Sequence, residues 1–84
     1  MNEPTREQLA RVYHATNEVL QEKRDNGKAV MATKWEITEH LLGMGHLTID
    51  ECMKALAEKG VFELRKTVNH IPMLIPCDEK STSA

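Results

Sequence analysis

Four histidines, two cysteines and one close pair of glutamates are the side chains of this 84-residue sequence best suited to chemistry. His14, His40, His46, His70, Cys52 and Cys77 are donors of the kind that bind zinc. They show neither Cys-x-x-Cys nor His-x-x-x-His spacing, so no metal site is expected. Glu36 and Glu39 would stand about one turn apart on a helix, but such an exposed pair is ordinarily a solvated face rather than an acid–base couple. The run "GMG" at 43–45 lacks the preceding strand and the lysine of a phosphate-cradling loop. Cys52 beside Met53 reads as a packing residue, and no nucleophile has an identifiable base. Neither an enzyme nor a cofactor is expected.

A second set of side chains could hold an anion. Lys34, Thr48, Lys54, Arg65, Lys66 and His70 carry donors suited to phosphates or base edges. Against them stand Asp50 and Glu51, which can accept from cytosine amines but repel phosphates. Residues 29–60 carry three basic and five acidic side chains, and the whole chain has a net charge of −2. That balance offers no bulk attraction for polyanions and counts against a sequence-blind nucleic-acid binder.

Helices must position these groups, and the threonines mark their starts. Thr5 is followed at the third position by Gln8, Thr33 by Glu36 and Thr48 by Glu51, each a capping-box pattern. The first helix is predicted over 6–24, with Leu9, Val12, Tyr13, Thr16, Val19 and Leu20 forming one stripe. That stripe can close the core or pair with another copy. "DNGK" ends the helix, and "AVMA" at 29–32 is short and extended-looking. A second helix over 34–42 is predicted to turn Trp35, Ile37, Leu41 and Leu42 inward. A third over 49–59 buries Ile49, Cys52, Met53 and Leu56, and Gly60 follows where a positive backbone angle is often needed.

After Gly60 the period becomes alternating. "VFELRK" and "IPMLIP" read as strands joined by "TVNH". Pairing them about Val68–Asn69 sets Leu64 against Met73 and Phe62 against Ile75. Phe62, Leu64, Ile71, Met73 and Ile75 then share the apolar face, and Leu74 is the exception. The expected class is α+β: one domain over 1–76, with a first helix (5–24), a helix-turn-helix (33–60), a hairpin (61–76) and a disordered polar tail (77–84). The polar start "MNEPTREQ", the lack of a long apolar run and two thiols expected to be reduced suggest a cytoplasmic protein without a membrane span.

From Thr33 to Pro76 this order of elements resembles the winged helix-turn-helix superfamily. The segment "TIDECMKALAEKGVFEL" carries most of the likeness. Ile49, Met53 and Leu56 match the inward positions of the superfamily's third helix, and Gly60 followed by Val61 and Phe62 matches its exit into the wing. The resemblance implies a small DNA-binding transcriptional regulator whose third helix enters the major groove while the wing lies across the backbone. It implies Thr48 and Lys54 nearest the groove, and Lys34, Arg65, Lys66 and the wing-tip His70 near phosphates. The partners implied are double-stranded DNA and either a second copy or another protein. The alternative is a winged helix used as a protein-interaction module, with Asp50 and Glu51 facing a basic partner and no DNA bound.

Overall fold

A computed structural model describes residues 3–77, so most of the tail expected at 77–84 lies outside the described residues. The chain is α+β, with three helices and a small three-stranded antiparallel sheet. The first helix, α1, spans Arg6–Asp25. Thr5 and Gln8 form the expected capping box, with the Gln8 amide donating to Thr5 Oγ1 at 3.1 Å and the Thr5 amide to Gln8 Oε1 at 2.9 Å. Gly27, at φ 67°, ends the helix in the left-handed region. The Lys28 amide then reaches the Lys23 carbonyl (2.8 Å), and the Gly27 amide the Arg24 carbonyl (3.2 Å). This bond pair satisfies carbonyls a helix end leaves open. The buried stripe is Val12, Ala15, Thr16, Val19 and Leu20, while Tyr13 lies at its margin with its ring 5.8 Å from that of Phe62. Buried Thr16 satisfies its own hydroxyl by donating to the Val12 carbonyl at 2.7 Å.

Strand β1 is only Ala32–Thr33, and α2 follows at Lys34–Glu39. The Thr33–Glu36 capping box is formed as expected. Helix α2 is shorter than the predicted 34–42, because the His40 and Leu41 amides tighten onto the Ile37 and Thr38 carbonyls, both at 3.0 Å. Leu41 still reaches the core, but Leu42 is 85% exposed and Trp35 is half-exposed. Trp35 and Ile37 are two residues apart, about 200° around a helix, so they cannot share its inner face. Ile37 takes it.

Helix α3 spans His46–Glu58 and begins earlier than the threonine pattern predicts. Its N-cap is Gly45, which supplies no side-chain hydrogen bond, so Thr48 falls inside the first turn and caps nothing. The C-terminal end repeats the closure of α1. Gly60, at φ 78°, lets the Gly60 amide donate to Ala57 (3.0 Å) and the Val61 amide to Leu56 (3.1 Å). The chain leaves directly into β2, Phe62–Lys66, which pairs with β3, Pro72–Pro76.

Strand order is β1-β3-β2, so β3 is central. Its register differs by one residue from the sequence expectation. Leu64 opposes Leu74, Phe62 opposes Pro76 and Arg65 opposes Met73. The cause is the turn. The His70 amide donates to the Thr67 carbonyl (2.9 Å), His70 itself sits at φ 64°, and the Thr67 amide then donates to the Ile71 carbonyl (2.9 Å). This is a three-residue loop in which the third residue is left-handed, where the expected pairing assumed two. One added residue exchanges the faces of β3. Leu74, expected to be the exception, is fully buried, whereas Met73 and Ile75 share the outer face with Glu63 and Arg65 and are half-buried. The core gathers Val12, Ala15, Val19 and Leu20 from α1, Ile37, the α3 stripe Ile49, Cys52, Met53 and Leu56, then Phe62 and Leu74.

Candidate functional site

The exposed face of α3 follows from its buried one. Ile49, Cys52, Met53 and Leu56 point inward, and the opposite direction on a helix of about 100° per residue belongs to Leu47, Glu51, Lys54 and Glu58. Leu47 is 80% exposed, and Glu51 and Lys54 are both open to solvent, with Lys54 Nζ 3.8 Å from Glu51 Oε2. Thr48, expected to face outward nearest the groove, is half-buried to one side of this face. Leu47 was missed by sequence reasoning because the threonine cap placed the helix start after it. The signal in the sequence was Gly45, an acceptable N-cap by its backbone alone.

Asp50 stands differently from Glu51. Lys34 Nζ, at the start of α2, donates to Asp50 Oδ2 at 3.0 Å, with the two side chains 13% and 29% exposed. The other carboxylate oxygen, Oδ1, is buried and has no partner. Thus the lysine expected to meet a phosphate and the carboxylate expected to repel one neutralise each other, and the pair ties α2 to α3. Beside them, Trp35 meets the His46 ring edge-on at 5.1 Å, and Lys34 Nζ lies 5.3 Å from the centre of the indole.

Between α3 and the hairpin lies a groove of about 220 Å³ lined by Asp50, Met53, Lys54, Leu64, Lys66 and Pro72. It brings Lys54 and Lys66 together from different elements. Strand alternation separates the two hairpin cations. Lys66 shares the side of Leu64, while Arg65 takes the outer face, where its Nε donates to Glu63. His70 is exposed at the hairpin tip, next to Asn69 and a nearly fully exposed Val68.

A second cleft, about 200 Å³, opens between α1 and α2 and is lined mainly by Glu22, Lys23, Lys28, Glu36, Glu39 and His40. Lys23 Nζ lies 3.0 Å from Glu36 Oε2 and also donates to the Met31 carbonyl at 3.1 Å. Burial pushes the Glu36 carboxyl up, but the Thr33 amide, Lys23 and the Thr33 hydroxyl outweigh it and hold it below its ordinary value. The His40 ring stands 3.7 Å from Glu18 and 3.4 Å from Glu22. These contacts bind the two helices to each other. Burial, with Glu51 nearby, raises the Cys52 thiol, consistent with a packing residue rather than a reactive one. Among the described residues no group of three or more His, Cys, Asp or Glu is placed to hold a metal ion, and no helix is long and apolar enough to cross a membrane.

No protein-family model matches the chain, and comparisons with curated proteins and with solved structures return no significant match.

Proposed function

We propose that this chain is a winged helix-turn-helix domain that binds double-stranded DNA as a small cytoplasmic regulator. The element order and the β1-β3-β2 sheet, with its hairpin leaving directly from α3, support the fold assignment. One observation carries the functional reading: Lys54 and Lys66 line a single groove whose carboxylate, Asp50, is already held by Lys34. A DNA backbone entering there meets two cations, with one Asp50 oxygen held by Lys34 and Glu51 standing beside Lys54. Two phosphate contacts bring little affinity, so a second copy or a protein partner is part of the proposal.

Binding of a labelled mixed-sequence duplex at low salt tests it. With about two phosphates engaged per chain, the logarithm of affinity should fall against the logarithm of salt with a slope of about −2 for each chain bound to the duplex. Lys66→Ala should weaken binding and reduce that slope by about one, while Arg65→Ala, on the other face, should change little. Absence of duplex binding by the wild type would remove the proposal.

A protein-interaction module is the second reading. It draws on the exposed Leu42, Leu47 and Trp35 near the α2–α3 turn, with Glu51 as the acidic group left open. It predicts no duplex binding, together with a protein partner lost on Glu51→Lys.

A further inference from the structure

The outward line of α3 presents four side chains in order: apolar Leu47, acidic Glu51, basic Lys54 and, at its C-terminal end, acidic Glu58. Leu47 and Glu51 are four residues apart, about 6 Å along the axis, a distance spanning roughly two base-pair steps of about 3.4 Å. A helix laid in the major groove by this face would put both side chains against base edges. Lys54, beside Glu51 at 3.8 Å, compensates its charge on the flank toward the backbone. Leu47 has no hydrogen-bonding group and 80% of its surface open, so its gain on contact comes from burying methyls. The one base-edge group in the major groove that offers this is the C5 methyl of thymine. Glu51 can only accept when ionised, and among base edges the cytosine N4 amine donates where no acceptor on the same base edge repels it; adenine pairs its N6 amine with an N7 acceptor.

We infer that Leu47 and Glu51 are the specificity-determining pair of the DNA site. Leu47 selects a thymine methyl and Glu51 selects a cytosine amine within about two base pairs of it. The inference rests on the duplex-binding reading proposed above. It also gives the acidic residue a positive role: a carboxylate that cannot find a cytosine amine is left desolvated in the groove, which rejects other sites.

The test begins with selection of bound duplexes from a randomised pool by the wild-type protein, followed by affinity measurements on the selected site. The recovered site should contain cytosine and thymine within two steps. Replacing that thymine by uracil removes only the methyl, and should weaken the wild type about four-fold while leaving Leu47→Ala unaffected. Replacing the cytosine should cost the wild type about ten-fold, and Glu51→Gln should move the preference toward adenine, which Gln can hold through N6 and N7. Both substitutions lie on the exposed face, and the uracil exchange alters no protein residue, so a folding defect cannot imitate the result. A duplex bound with unchanged affinity after the uracil exchange, or unchanged base preference in Glu51→Gln, overturns the inference and leaves duplex binding standing. A wild type that binds no duplex at all overturns both.

Discussion

Leu74 is the position where the one-residue register shift can be tested most directly. In the structure it is 0% exposed, central in the sheet, opposite Leu64 on one side and Ala32 on the other. In the register expected from the sequence it would point outward, with Met73 and Ile75 in the core instead. Leu74→Ala removes the equivalent of three buried carbon groups, about 2.4 kcal/mol of transfer free energy at ~0.8 per group, and leaves a cavity that raises the cost to about 3–4 kcal/mol. A domain of this size has roughly 4–12 kcal/mol of total stability, so the variant should lose a large share of it. The thermal midpoint should fall by about 12–32 °C. Ile75→Ala, on the half-buried outer face, should cost only about 1–2 kcal/mol. Urea unfolding followed by far-ultraviolet circular dichroism measures both, since Trp35 is half-exposed and a poor reporter of the core. A larger loss for Ile75→Ala than for Leu74→Ala would show that β3 pairs through the two-residue loop, and the face assignment of the hairpin would be wrong.

The contacts around the site give further expectations. Asp50→Asn should leave the largely buried Lys34 ammonium without its counter-charge and cost about 1–2 kcal/mol, between the values for exposed and buried pairs. A double-mutant cycle with Lys34→Met should show coupling of about 1 kcal/mol, and additive losses would mean the pair does not tie α2 to α3. Glu36 has a folded-state pKa below its ordinary value of 4.5, so its contribution is present above that pH and is lost as pH falls through the lowered value. Acid titration of stability should therefore be shallower below about pH 4.5 for Glu36→Gln than for the wild type, and identical slopes would refute the contribution.

Local rules placed much of the chain. The capping boxes at Thr5 and Thr33 and the glycine closure at Gly60 are each decided within a few residues and are found in the structure, as is the α1 stripe except that Tyr13 is exposed, Leu9 is only partly buried and Ala15 joins the core. The same rule failed at Thr48, because a capping pattern states which backbone amides a side chain can reach, not whether another residue has already begun the helix. Trp35 was misplaced because hydrophobicity says that a side chain gains by burial, while a six-residue helix has only one narrow inner face to offer, and Leu42 because α2 ends at Glu39, before reaching it. At the candidate site, Lys54 and Lys66 were identifiable as cations, and their meeting in one groove was not. Neither was the pairing of Lys34 with Asp50, 16 residues away in sequence. Arg65 and Lys66 looked equivalent until strand alternation sent them to opposite faces.

By itself, then, the sequence determined three helices, an α+β class and the composition of most of the core, because propensity, capping and periodicity act over one or two turns. Tertiary structure decided the rest: which face of β3 is buried, which charges neutralise one another, and that Leu47 rather than Thr48 stands on the outward line of α3. Those outcomes depend on turn geometry and on contacts between distant residues, whose energies exist only once the chain has packed.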